Sequence, residues 1–288
     1  MSRPALSVVI PARQGRSVLE GLRPLAEQVE AVGGEIVVVD GSGERVPVTS
    51  PVRWIAMSDT NLLRLRSVAV RAARGAVVAV GEDHAVPRPG WCEAILRAHS
   101  EHPNAAAVAG CLVNATDRTV AGRANFVGFA AQYSPPMPSL PRQQPPPAST
   151  LSFKREALDE LGDSTGRLES DLIPRLFREG RIAADDRIIV EHHQDKGILW
   201  SAQNAFASAR AGYGYERLRR EPAHRWDIVR WVLTRMPGVL WRDARDGCEK
   251  TRYQRRDLPA VAVIQAGAIA GATLGTLIGP GRAPDRVA

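Results

Sequence analysis

The stretch Val80-Gly81-Glu82-Asp83-His84-Ala85-Val86-Pro87 closes a run of small and β-branched residues with two acids and an imidazole. Carboxylate oxygens beside an imidazole nitrogen suit a divalent cation, and a cation in turn holds phosphate. The same residues also fit a strand-to-helix turn in which Asp83 caps the next helix. A second carboxylate, Asp40, ends Val37-Val38-Val39 and is followed by Gly41-Ser42-Gly43. There it can accept from a base N–H or a ribose hydroxyl, and the glycines let a ligand approach the backbone. The tetrad also loosely echoes the glycine-rich cofactor loop of methyltransferases, but that loop follows the first strand of its fold. Arg64, Arg66, Arg71 and Arg74 lie on one helical stretch, with Arg66 and Arg74 eight residues apart and roughly on one face. Guanidinium groups hold phosphate through paired hydrogen bonds. Arg71 and Arg74 fit a solvated basic face equally well, so Arg66 is the site candidate. In Leu168-Glu169-Ser170-Asp171-Leu172, Glu169 precedes an amphipathic helix and is placed to serve as a general base. Ser170 or Asp171 would equally serve as a plain N-cap. His192 follows the apolar run Ile188–Val190 and reads as a ligand to metal or diphosphate, or as a structural histidine.

These side chains need a scaffold, and residues 6–90 alternate strand and helix patterns. Strands are expected at Leu6–Pro11, Glu35–Val39, Val52–Met57 and Ala76–Val80, and helices at Ser17–Val32 and Leu62–Arg74. Pro87, Pro89 and Gly90 turn the chain into an amphipathic stretch from Trp91. The alternation implies an α/β fold with a mostly parallel central sheet covered on both faces, whose carboxyl edge binds ligands. Ala105–Val113 and Thr150–Phe153 read as further strands, and Leu172–Arg178 as a helix ended by Gly180. Ser134–Ser149 is Pro-rich, with Gln143 and Gln144 inside it, and reads as an irregular lid or a surface excursion.

The 288 residues carry 44% hydrophobic content, enough for one large or two small domains. The three cysteines, Cys92, Cys111 and Cys248, share no metal-ligand spacing, so a zinc site or a disulfide framework is not expected. A strand at Leu6 leaves no room for a signal peptide, and a reducing, cytoplasmic setting is expected. The net charge of +7 is concentrated late, where arginines from Arg217 to Arg256 alternate with Trp226, Trp231, Trp241 and Tyr253. Leu258–Gly279 then carries no charge and is dominated by Ala and Gly. That order favours an anionic membrane surface over nucleic acid, with the apolar helix lying on or dipping into the bilayer rather than spanning it. The competing reading is an Ala/Gly helix packed on the domain.

Taken in order, these segments resemble a family 2 glycosyltransferase of the GT-A fold. Leu6-Ser7-Val8-Val9-Ile10-Pro11-Ala12 is similar to the family's opening strand, and Glu35–Ser42 to its second, whose aspartate (here Asp40) contacts the nucleotide base. Arg66-Ser67-Val68-Ala69 through Ala73-Arg74-Gly75 resembles an Arg-Asn-x-Gly…Ala-x-Gly helix, with Ser67 for Asn and Ala69 for Gly. Glu82-Asp83-His84 falls where the family keeps an Asp-x-Asp metal motif, with His84 in place of the second aspartate. Leu151–Leu158 is similar to the acceptor-site border. Glu169-Ser170-Asp171-Leu172 resembles the Glu-Asp-x-Asp-Leu base element, one residue short, and His192 the family's late histidine.

The resemblance covers about residues 5–200 and implies a GT-A domain at 1–200. Its nucleotide-sugar half is expected at about 1–110 and its acceptor half at about 111–200. A basic helical extension at 201–257 and an apolar helix and tail at 258–288 would follow. It implies inverting transfer from a nucleoside-diphosphate sugar. The donor would lie against Pro11, Ala12, Arg13, Asp40, Arg66 and Glu82. Mg²⁺ or Mn²⁺ would be held by Asp83, His84 and His192, and Glu169, with Asp171 as alternative, would be the base. A lipid-linked acceptor at the cytoplasmic face of a membrane follows from the late segment. The rivals are a sugar nucleotidyltransferase, for which Pro11-Ala12-Arg13-Gln14-Gly15-Arg16 is a faint basic loop, and a non-catalytic relative that binds a partner or membrane.

Overall fold

The computed structural model describes residues 3–13, 19–141, 145–161, 165–194, 196–219, 225–253 and 255–286. Ser17, Val18, Gln143 and Gln144, singled out in the sequence, lie outside the described residues. The chain forms two compact units. One comprises residues 1–113 and 135–192, the other 114–134 and 193–288.

The first unit is built on an eight-stranded sheet: β1 (Leu6–Ala12), β2 (Glu35–Asp40), β3 (Val52–Ala56), β4 (Val77–Val80), β5 (Ala85–Pro87), β6 (Ala107–Asn114), β7 (Leu151–Lys154) and β8 (Ile182–His192). Their order is β3-β2-β1-β4-β7-β6-β8-β5. β3, β2, β1 and β4 run parallel, the block expected from the alternating pattern. β7 is antiparallel to both β4 and β6, and β5 to β8. β1, β2 and β4 are buried along their whole length, which is why they read as unbroken apolar runs. The helices are α1 (Leu19–Ala31), α2 (Leu62–Ala72), α3 (Trp91–Glu101), α5 (Arg155–Asp159) and α6 (Ile173–Arg178); α4 belongs to the second unit.

The junction of α2 with β4 is tied down by polar contacts. Gly75 N donates to Ser7 Oγ at 2.7 Å, and Arg74 N to the buried Glu35 Oε1 at 2.6 Å. A side chain at Gly75 would collide with the Ser7 backbone, so β1 and the loop into β4 can touch only through glycine. Arg155 caps the end of α2, donating to Ala73 O at 2.8 Å.

The second unit holds α4 (Val120–Phe129), α7 (Ile198–Arg219), α8 (Arg225–Thr234), α9 (Met236–Thr251) and α10 (Leu258–Ile278). The segment 114–134, read in the sequence with the acceptor half, packs with these helices. α10 sets Gly267, Gly271 and Gly275 against the backbone of α7. A Cβ on Gly271 would lie 2.1 Å from Phe206 O, and one on Gly267 2.3 Å from Ala202 O. Four-residue spacing on both helices aligns these contacts into one seam. Buried Asp257 begins α10 and accepts a bidentate pair from Arg123 (2.7 and 3.1 Å). Val232, Met236 and Ala272 form a small core where α8, α9 and α10 meet.

The Pro-rich stretch is irregular where described, as its composition requires, apart from a short 3₁₀ turn at Ala148–Thr150. Ser134, Met137, Ala148 and Ser149 within it are buried.

Candidate functional site

The carboxyl ends of β1, β2 and β4 lie side by side and present Pro11–Arg13, Asp40–Ser42 and Gly81–His84 at one edge. Pro11 and Ala12 are buried, and Gly41 N donates to Ala12 O at 2.8 Å. Asp40 is fully buried. Its carboxylate accepts from Ser42 N at 3.0 Å and from Ser42 Oγ at 2.6 Å, closing a turn on its own loop.

Arg66 sits on the inner face of α2, one turn from Leu63 and Ala69 on either side, and is 7% exposed. Its Nη1 donates to Glu169 Oε1 at 2.5 Å, and its Nη2 lies 3.9 Å from Glu82 Oε1. One guanidinium therefore stands between two carboxylates from distant parts of the chain. Glu169 reaches it from a π-helical turn, Leu168–Leu172, that leads into α6. Such a turn carries one residue more than an α-helical turn and recurs at functional sites. Neither Ser170 nor Asp171 acts as an N-cap. Ser170 Oγ donates back to Gly166 O, and Asp171 accepts from Arg167 at 2.8 Å. Asp171 is thus engaged on its own helical turn, while Glu169 is brought to Arg66. A cavity of about 320 Å³ opens beside the pair, lined by Ser67, Arg71, Arg155 and Leu168 among others.

On the other side of Glu82 stand two histidines. β5, a three-residue strand where the sequence suggested only a turn, pairs antiparallel with β8, and Ala85 lies opposite His192. This pairing brings His192 to His84. Their Nε2 atoms are 3.1 Å apart, and Glu82 Oε2 lies 3.6 Å from His84 Nε2 and 3.8 Å from His192 Nε2. One ligand atom from each of the three falls within 4.8 Å of the others. Asp83 faces away from this trio and meets His84 Nδ1 at 2.8 Å. It does not cap α3, whose N-cap is Gly90 in the left-handed region (φ 79°). The cap reading of the acidic stretch is therefore not the arrangement the chain adopts.

Burial drives the Glu82 carboxyl upward, but His84, His192 and Arg66 together outweigh it and hold the group below the usual carboxylate range. Glu82 is thus the meeting point of the Arg66 contact and the histidine pair. Glu82, expected beside the nucleotide sugar, stands within reach of both histidines. Glu82 and His84 meet across a turn, in which Ala85 N donates to Glu82 O at 3.4 Å, and no strand or helix period in the sequence marks that meeting. A larger cavity, about 750 Å³, lies within the second unit against Trp200, Phe206 and Arg210 and takes in none of these acids and histidines.

No family model matches the chain, and no curated protein does. Among solved structures, it is similar to S. aureus TarS, residues 1–349, in complex with UDP-GlcNAc. Identity is 14%, the match covers 93% of this chain and 89% of that one, and the TM-score is 0.48.

Proposed function

We propose that the chain is a nucleotide-sugar-dependent glycosyltransferase of the GT-A, family 2 type that transfers with inversion. One observation carries the reading. At the carboxyl edge of the sheet's parallel block, Arg66 bridges Glu169 and Glu82, and Glu82 also belongs to a Glu/His/His cluster. A diphosphate needs cationic partners, and an acceptor hydroxyl needs a base within reach of the same point.

In this reading Asp40 exchanges its Ser42 contacts for the base or ribose of the donor, with Pro11, Ala12 and Arg13 alongside. Arg66 turns from Glu169 to the diphosphate oxygens as the donor arrives, which frees the Glu169 carboxylate. Glu169 then takes the acceptor hydroxyl proton while the acceptor oxygen forms its bond to the anomeric carbon. The anomeric C–O bond to the diphosphate breaks on the opposite face, and the diphosphate leaves with the electron pair. Asp171 is the alternative base if its pair with Arg167 opens.

The donor set of Glu82, His84 and His192 fits a divalent cation, because two ligands sharing one ion at about 2.1 Å lie roughly 3.0–3.4 Å apart and the two Nε2 atoms are already 3.1 Å apart. When bound, such an ion supplies positive charge for the leaving diphosphate. Asp83 is then the partner that orients His84.

The second unit suits attachment at the cytoplasmic face of a membrane, and hence a lipid-linked acceptor. α8 and α9 expose Trp226, Trp231, Leu233 and Trp241 among Arg230, Arg235, Arg242 and Arg245. The outward stripe of α10 is Val263, Ala266, Ala270, Leu274 and Leu277. Interleaved aromatic and cationic groups suit an anionic lipid surface.

The test is incubation of the full chain with a panel of nucleoside-diphosphate sugars while released nucleoside diphosphate is followed. Release from at least one donor is expected. Pyrophosphate release from a nucleoside triphosphate and a sugar phosphate instead would assign the nucleotidyltransferase reading.

A further inference from the structure

The Glu82, His84 and His192 cluster holds more information than the presence of a cation. We propose that it selects a borderline transition ion of the Zn²⁺, Co²⁺ or Fe²⁺ kind over Mg²⁺, and that Asp83 is a positioning residue for His84 rather than a ligand. This rests on the reading of the cluster as a cation site.

The donors carry the first half. Mg²⁺ demands oxygen ligands in near-octahedral geometry and keeps its waters, so it gains little from imidazole. Two of the three donor atoms here are imidazole nitrogens, His84 Nε2 and His192 Nε2. Two imidazoles and one carboxylate leave open positions on an ion, and that donor set favours first-row metals in the order Mn²⁺ < Fe²⁺ < Co²⁺. The spacing agrees. The Nε2 pair already matches two ligands on one ion, and the Glu82 distances of 3.6 and 3.8 Å need shifts of only a few tenths of an ångström.

Hydrogen bonding carries the second half. An ionised carboxylate only accepts, so the 2.8 Å contact from His84 Nδ1 to Asp83 Oδ1 puts the ring proton on Nδ1. The Nε2 lone pair of His84 is thereby turned toward Glu82 and His192, the tautomer a metal requires. Asp83 spends its oxygen on the far side of the ring from the trio. The buried position of His192 (4% exposed), fixed by the β5–β8 pairing, sets the second imidazole.

The experiment is calorimetric titration of the metal-stripped full chain with Co²⁺, Zn²⁺, Mn²⁺ and Mg²⁺, with the visible spectrum of bound Co²⁺ as a second readout. One equivalent of Co²⁺ or Zn²⁺ is expected to bind at least about 100-fold more tightly than Mg²⁺. His84→Ala and His192→Ala should abolish Co²⁺ binding and its spectrum. Asp83→Asn should keep the stoichiometry but weaken affinity about 10- to 100-fold, with the melting temperature of the stripped protein unchanged. Equal affinity for Mg²⁺ and Co²⁺ would overturn the selectivity. Complete loss of binding in Asp83→Asn would make Asp83 a ligand and overturn its positioning role. Absence of any bound ion in the wild type would overturn the cation site itself. Donor-sugar binding measured on the same samples would then show whether the transferase reading falls with it.

Discussion

Arg66 and Glu169 are 103 residues apart in the chain and meet at 2.5 Å, with the guanidinium almost wholly buried. The same guanidinium lies 3.9 Å from Glu82, so a single cation balances two acids at the sheet edge. Arg66→Ala would leave both carboxylates without it and should lower unfolding stability by about 3 kcal/mol, at the low end for breaking a buried pair because Glu169 is partly exposed. Arg66→Lys should recover part of the stability but not bidentate phosphate contact, and so should bind nucleoside diphosphates more weakly than wild type. Denaturant unfolding and nucleotide titration of the two variants check this. Wild-type stability in Arg66→Ala would show that the bridge contributes nothing.

His99 supplies a pH test away from the site. It is buried on α3, bonded to Ser152 Oγ at 2.9 Å, and burial, aided by Lys154, pushes its pKa down to about 4. Between about 6.5 and 4 the unfolded chain binds a proton that the folded chain refuses. The penalty is absent above pH 6.5 and grows as pH falls, to about 3 kcal/mol near pH 4. His99→Gln should flatten the fall in melting temperature across that window. Parallel melting curves for the two proteins would contradict the assignment.

The α7–α10 seam should be intolerant of a single methyl group. Gly271→Ala would place a Cβ against Phe206 O and cost about 1–3 kcal/mol by forced separation of the helices. Ala270→Val, on the outward face of α10, should cost a few tenths of a kcal/mol at most. Thermal melts of the pair read the difference, and equal costs would mean that the seam is not close-packed.

The seam also shapes the membrane test. Removing α10 would strip α7 of its partner, so deletion cannot separate lipid binding from folding. Arg242→Gln with Arg245→Gln alters two exposed charges of α9 instead. At about 1 kcal/mol per cation near an anionic surface, vesicle partitioning should fall by roughly 30-fold on phosphatidylserine-containing vesicles. Neutral vesicles should show little change. The same partitioning for both proteins on anionic vesicles would remove the electrostatic part of the membrane reading.

Within the parallel block, β1, β2 and β4 were legible in the sequence because each is a short apolar run buried on both faces, whereas β3 is half-buried throughout. Asp40, Glu82 and His84 fall at strand ends for the same reason. β5 was not legible: Ala85-Val86-Pro87 is three residues long and contains a proline, and only its partner β8 makes it a strand. The meeting of His192 with His84 depends on that pairing, and the meeting of Glu169 with Arg66 on a π-helical turn. Neither leaves a local pattern. The apolar composition of α10 pointed to membrane, yet half of the question lay in which face its glycines take. Their four-residue spacing was visible, but the matching backbone of α7 was not.

The central claim is that this edge binds a nucleotide sugar and that Glu169 removes the acceptor proton. The most direct measurement pairs donor binding, by calorimetry, with donor turnover in wild type and Glu169→Gln. Wild type should bind and consume at least one nucleoside-diphosphate sugar. Glu169→Gln should bind the same donor with similar affinity and lose about 10²- to 10⁴-fold in transfer rate. Full activity in Glu169→Gln would move the base to Asp171, and a wild type that binds no nucleoside-diphosphate sugar at all would contradict the account.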